Sequence, residues 1–170
     1  KQGAGSTFLR DTLTRIVHSL NGSDIDYARL TAASFMLSAD NGHAIHPNHP
    51  EKADPKNYPV LNGGVVIKYN ANQRYTTDSI SAAIFKRILD KNNIPHQVYT
   101  NRSDIHGGST LGSISNTRVS LNTIDIGAAQ LAMHSCFETG GTNDTTHLIS
   151  AMREFFGTVL KYGDNRIRMS

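Results

Sequence analysis

Short apolar runs alternate with amphipathic helical spacings along most of this chain, and that rhythm constrains its fold more than any other feature. Ser34–Leu37, Val65–Tyr69, His96–Thr100 and Thr123–Ile126 read as strands, each a brief apolar or β-branched run bounded by turn residues. Between and around them, Ser6–Leu20, Ile25–Ala32, Thr77–Asn92, Ser109–Val119 and Thr145–Leu160 carry helical periodicity. Ser23 or Asp24 caps the second helix, and Ile80, Ile84, Ile88 and Leu89 form the apolar side of the third. Strands alternating with helices in this way predict an α/β fold in which a sheet is covered by helices. The length of 170 residues suits one domain, with no internal repeat and no low-complexity segment.

Composition removes several classes of function. A hydrophobic content of 38% with 18% charged residues is that of a globular chain. No apolar stretch approaches the roughly 20 residues of a membrane-spanning helix. The formal charge of +3 comes from scattered basic residues, the densest run being Arg166-Ile-Arg168, so no basic face for nucleic acid is expected. The single Cys136 cannot form an internal disulfide and fits a reducing compartment. The chain opens with Lys1 rather than Met, so the lack of a leader carries little weight.

Chemistry-bearing residues collect in and beyond a long irregular stretch, Asn41–Gly64, which contains Pro47, Pro50, Pro55 and Pro59. Asp40, His43, His46 and His49 stand three apart, a spacing that suggests metal ligation, although the prolines forbid an ordinary helix there. A loop His is more often a hydrogen-bonding turn residue than a ligand. Asp40 follows a buried apolar run, where α/β folds place their ligand crevice, or else caps the turn after the strand. Gly107–Gly112 either cradles an anion or makes a plain strand-to-helix turn; it lacks the Gly-Lys-Ser/Thr ending of a phosphate-binding loop. His134 reads as a core histidine or as a ligand, with Glu138 able to orient it if that stretch is helical. Lys68 ends an apolar strand and either snorkels to solvent or is buried with a partner.

Taken together these segments resemble a known family. Ser38-Ala-Asp-Asn-Gly-His-Ala-Ile-His-Pro-Asn48 is similar to the Ser-Ala-Asp-x-x-His-Ala-x-His-Pro-Asn signature of the aspartyl aminopeptidase and aminopeptidase I family. Gly64–Asn70 with Gln73-Arg-Tyr75, Gly108–Gly112 and Gln130–Ser135 follow in the family's order. The resemblance runs from Lys1-Gln-Gly-Ala4 to Phe156, leaving 157–170 as an unassigned tail. It implies a zinc-peptidase-like catalytic domain, a mixed sheet flanked by helices, in a cytoplasmic enzyme that removes the amino-terminal residue from peptides. It also implies two zinc ions per complete domain, with Asp40 a ligand of one and His134 a ligand of the other. His43, Lys68 and Tyr75 match substrate-contacting positions, Lys68 suggesting acidic amino-terminal residues over neutral ones.

The departures are equally informative. The family's first metal-binding His, its bridging Asp and its adjacent Glu-Glu pair precede the segment that Lys1–Ala4 matches. Only Glu51, Glu138 and Glu154 are present here, none adjacent to another, so no catalytic base is expected within this chain. The expectation is therefore the carboxyl-terminal part of a catalytic domain, whose partners are the upstream half, a peptide substrate and further copies, from dimer to dodecamer. A non-catalytic assembly or regulatory fragment with the same fold is the alternative.

Overall fold

A computed structural model describes residues 3–163 and 166–170, so Lys1 and Gln2 of the amino-terminal motif and Asp164–Asn165 of the tail lie outside the described residues. Two helices, α1 (Phe8–Ser19) and α2 (Asp24–Ala32), lead into β1 (Phe35–Ala39) and a two-residue strand, β2 (Gly42–His43). After a 3-10 turn at Pro50–Lys52 come β3 (Val65–Tyr69), α3 (Ser79–Lys91), β4 (His96–Thr100), α4 (Leu111–Asn116) and β5 (Asn122–Gly127). Short β6 (Ala129–Leu131) and β7 (Thr139–Gly140) precede α5 (Thr142–Gly157), and β8 (Leu160–Gly163) with β9 (Arg166–Met169) closes the chain.

Local chemistry explains the element ends. Ser23 caps α2 reciprocally with Asp26, and Asp78 caps α3 reciprocally with Ser81, each pair satisfying free N–H donors of the first turn. The expected helix over Ser109–Val119 shrinks to six residues. Serines and Asn116 favour local bonds over helix, and the Asn116 side chain ties off the end by bonding Leu121 through both its N–H and its carbonyl. The last helix starts at Thr142, earlier than its apolar spacing suggests, and stops at Gly157, after which Leu160 begins a strand.

The principal sheet has the order β1-β5-β3-β4, with β1 and β5 parallel, β3 and β4 parallel, and β3 and β5 antiparallel. It is a mixed sheet, as the resemblance implies. A second small sheet joins β2, β6 and β7. Alternation along the strands gives the large sheet two unlike faces. Val65, Ile67, Ile124 and Ile126 point to one face, where Ile84, Phe85, Ile88 and Leu89 of α3 and Ala151 and Phe155 of α5 complete the main core. Each such side chain, fully buried, is worth about 1.5–3 kcal/mol. Leu160, Ile167 and Met169 pack against the same core, so the tail that matched nothing in sequence forms a hairpin flanking it.

The other face is polar at its centre. Strand register puts Ser38, Asp125, Lys68 and Tyr99 in one row across the four strands, and all four are buried. α4 lies on this side, with the Gly112 N–H donating to Ser38 Oγ at 2.9 Å. A carboxylate at the start of α5 fastens the segment entering β3. Asp144 is buried, and its two oxygens accept the Asn62 N–H at 2.7 Å and the Gly64 N–H at 2.9 Å. Gly64 has φ +100°, and a Cβ there would lie 2.1 Å from the Pro95 carbonyl oxygen, so only glycine fits. Asp144→Ala leaves both N–H groups without their acceptor, and that of Gly64 is buried. We expect it to lower unfolding free energy by about 3 kcal/mol in urea titration. A loss under about 1 kcal/mol would show that this clamp does not anchor the segment.

Candidate active-site cleft

A cleft of about 450 Å³ opens on the polar side of the sheet, and Asp40, His43, Lys68, Tyr75 and His134 all line it. These residues come from the ends of different elements, which places them together only once the chain has folded. Asp40 directly follows β1, and its N–H donates to the Ile126 carbonyl at 2.9 Å. The chain can cross there because residue 127 is glycine: a Cβ would stand 1.9 Å from the Asp40 carbonyl oxygen. His43 is held by β2, which pairs with β6 in the register His43 to Gln130. Asn41 joins the two, its amide donating to Gln130 Oε1 at 2.7 Å while its Oδ1 accepts the Ala128 N–H at 3.2 Å.

Lys68 does not snorkel. It is 2% exposed, and its Nζ donates to the Asn41 carbonyl at 3.0 Å and lies 5.6 Å from the centre of the Tyr75 ring. Burial pulls the ammonium's pKa below its ordinary value, while the Asp40 and Asp125 carboxylates act in the opposite sense. His43 is also shifted down, first by burial and then by His134 and Lys68, which favours its neutral imidazole. Burial raises the pKa of Tyr75 and of Tyr99, so both hydroxyls stay protonated donors. The Tyr99 hydroxyl donates to Asn101 Oδ1, and Asn101 Nδ2 reaches the Tyr75 hydroxyl at 3.5 Å.

His134 is exposed, not a core histidine, and it adopts φ 69° in a turn. The stretch to Glu138 is not helical, and Glu138 accepts the His134 backbone N–H at 2.6 Å instead of orienting the imidazole. The three-residue spacing of histidines does not build a metal centre. His46 Nδ1 accepts the Asn48 N–H, and His49 Nδ1 pairs with Glu51 at 3.2 Å. Among the described residues no group of three His, Cys, Asp or Glu side chains converges as a metal site. Asp40 and His134 are thus suitable donors in kind, a carboxylate and an imidazole facing one cleft, but too few to enclose an ion alone. Two of the three glycines in Gly107–Gly112 serve packing: a Cβ on Gly107 would meet Asn101 at 2.0 Å and one on Gly112 would meet Ser38 at 2.8 Å, while one on Gly108 would meet nothing.

Sequence reading does not single out Asn41, Asn101 or Gln130, which line this cleft, or Asp125, which is buried beside Lys68. Asp125 alone left a signal, an acid in the middle of the run Thr123-Ile-Asp-Ile126.

Comparison with known proteins identifies the class. The sequence profile of the aminopeptidase I zinc metalloprotease (M18) family matches residues 1–156, and the chain belongs to that family. A probable M18 family aminopeptidase 2 of Clostridium novyi is 47% identical over 156 residues, 92% of this chain and 36% of that protein. A probable aspartyl aminopeptidase of Ricinus communis is 41% identical over 91% of this chain and 32% of its own length. Among solved structures, a chain in the complex of Ape4 and Nbr1 superposes with a TM-score of 0.88 at 39% identity, covering 91% of this chain and 29% of that one. The S. cerevisiae mApe1 dodecamer matches with a TM-score of 0.77 at 28% identity, over 92% of this chain and 34% of that chain. This chain spans about a third of the length of the relatives it matches.

The crossing at Gly127 ties the sheet to the site. Gly127→Ala must push the Asp40 backbone aside, and we expect about 1–3 kcal/mol of destabilisation by chemical denaturation. Unaltered stability would mean that the Asp40 crossing has slack.

Proposed function

We propose that this chain is the carboxyl-terminal part, over residues 1–156, of the catalytic domain of a zinc aminopeptidase that removes amino-terminal residues from peptides. The observation that carries this reading is the convergence of Asp40, His43, Lys68, Tyr75 and His134 on one cleft. In the complete domain Asp40 holds one zinc ion and His134 a second, and the remaining ligands come from sequence preceding this chain. When bound, the paired ions supply Lewis-acid polarisation of the scissile carbonyl and activation of water.

The roles of this chain's own residues follow from their surroundings. His43 in its neutral form keeps one ring N–H, and Tyr75 keeps its hydroxyl proton, so both donate to a carbonyl oxygen as it gains negative charge. Lys68, buried and fixed on the Asn41 carbonyl, is a point charge that holds the carboxylate of an acidic amino-terminal residue. The aspartyl aminopeptidase name of the Ricinus communis relative supports that preference. None of the glutamates lines the cleft, so the general base also comes from the preceding part. α1 and α2 leave Phe8, Ile16, Leu20, Ile25 and Leu30 exposed, apolar surface suited to cover by the rest of such a protein. The yeast dodecamer supports a large homo-oligomer for the complete protein. The exposed, unpaired Cys136 supports a cytoplasmic setting.

Zinc analysis with peptide turnover tests the reading. The isolated 170-residue chain should bind zinc weakly and show no aminopeptidase activity, while the complete protein has both. There, Asp40→Ala and His134→Ala should each deplete a different ion and abolish turnover. Two tightly bound zinc ions per isolated chain, with turnover, would show that the site lies elsewhere.

A second experiment addresses preference. In the complete enzyme Lys68→Met should lower kcat/KM for Asp and Glu amides roughly ten- to a hundredfold relative to Leu amide. A wild-type enzyme that turns over Leu amide fastest rules the acidic preference out, and a monomeric mass by light scattering rules out the oligomer.

A further inference from the structure

Beside Lys68, and outside the lining of the cleft, lies a buried acid to which the proposed reaction gives no task. Asp125, in the middle of β5, is 0% exposed. Its Oδ2 accepts both the Thr76 backbone N–H at 2.5 Å and the Thr76 hydroxyl at 2.7 Å. Its own backbone N–H donates to the Thr77 hydroxyl at 2.9 Å. Two consecutive threonines are therefore fastened to one residue of the sheet, and Tyr75 immediately precedes them. On the other side of Tyr75 the chain is held by a turn in which Asn70 Oδ1 accepts the Asn72 and Arg74 N–H groups, with Gln73 at φ 55°. Tyr75 thus hangs between two anchors.

A buried carboxylate is a costly strand residue, and neighbours such as Ile124 and Ile126 show that this strand has no need of one for packing. A hydroxyl or amide in its place would bind the Thr76 donors about half as strongly. Register sets Asp125 beside Lys68, whose cation offsets the carboxylate's charge, while Asp125 Oδ1 has no hydrogen-bond partner among the described residues. The arrangement spends a buried charge on fixing a loop, and the side chain that this loop delivers to the cleft is Tyr75.

We propose that Asp125 is a positioning residue: through Thr76 it fixes where the Tyr75 hydroxyl stands in the cleft, and so how that hydroxyl meets the substrate oxygen on which charge develops. This rests on the reading of Tyr75 as a hydrogen-bond donor in the reaction. Asp125 itself touches neither substrate nor metal. Its effect reaches the reaction only through the placement of Tyr75, where a displacement of about 1 Å can cost up to a hundredfold in rate.

The test is a double-mutant cycle in the complete aminopeptidase with Asp amide as substrate. Thr76→Val removes the hydroxyl bond with little change of shape, and Asp125→Asn removes the charge. Each should lower kcat roughly tenfold while KM stays within about twofold. Combined with Tyr75→Phe, neither should add a further loss, because the group they position is already gone. A full, additive loss in the Tyr75→Phe background means Asp125 is merely structural and overturns the inference. If Asp125→Asn fails to fold, Thr76→Val carries the cycle alone. A structure of the Thr76→Val variant supplies the second readout: the Tyr75 hydroxyl should move by about 1 Å, and an unmoved hydroxyl overturns the inference whatever the kinetics show. A displaced hydroxyl together with an unchanged kcat in Tyr75→Phe supports the positioning and overturns instead the role given to Tyr75.

Discussion

Burying Lys68 in the middle of a sheet is the constraint on which the site depends. An ammonium removed from water is tolerated only where acceptors and opposite charge surround it. Here the Asn41 carbonyl accepts its proton, the Tyr75 ring faces it, and Asp40 and Asp125 supply negative charge nearby. Those partners belong to segments far apart in the chain, so satisfying one buried cation draws the loop after β1, the loop before α3 and strand β5 together. The two faces of the sheet divide the work accordingly. One is packed with Ile, Val and Phe and holds the fold, while the other carries the polar row and opens into the cleft.

Close backbone approaches make that convergence possible. Gly127 lets the chain cross beside Asp40, Gly64 lets the entry to β3 press against Pro95, and Gly112 lets α4 sit against Ser38. Each replaces side-chain volume with proximity between strands and loops. The clamps then fix what the glycines admit: Asp144 on Asn62 and Gly64, and the Gln97 side chain on the backbone of Val60. Loops built this way position side chains with the accuracy of the sheet they are tied to.

Asp40 and His134 face one cleft, and no group of three His, Cys, Asp or Glu side chains converges there as a metal site among the described residues. On the proposed reading the chain contributes part of a metal centre instead of enclosing one. On the same reading its own part is the handling of substrate, by a buried cation, a tyrosine hydroxyl and an imidazole that line one cleft. The tail adds stability in place of chemistry, since its hairpin packs Leu160, Ile167 and Met169 on the apolar side of the sheet.

The sequence by itself determined the strands Val65–Tyr69 and His96–Thr100 and the helix between them, and narrowed the cap of α2 to Ser23 or Asp24, because periodicity and capping act over a few residues. It also contained the ordered motifs that name Asp40, His43, Lys68, Tyr75 and His134, although the residues alone left Asp40, His43, Lys68 and His134 with two readings. Tertiary structure decided the surroundings of Lys68 and His134. Whether Lys68 reaches solvent depends on Asn41 and Tyr75, which local sequence does not place against it. Whether His134 is buried or helical depends on a turn with positive φ and on the backbone bond from Glu138. The short strands β2, β6 and β7 were illegible for the same reason: two or three residues have no period, and only their pairing across the fold makes them strands. Asp125 was visible as an acid among isoleucines, but its task required Thr76, 49 residues away, to be brought to it by the closing of the sheet.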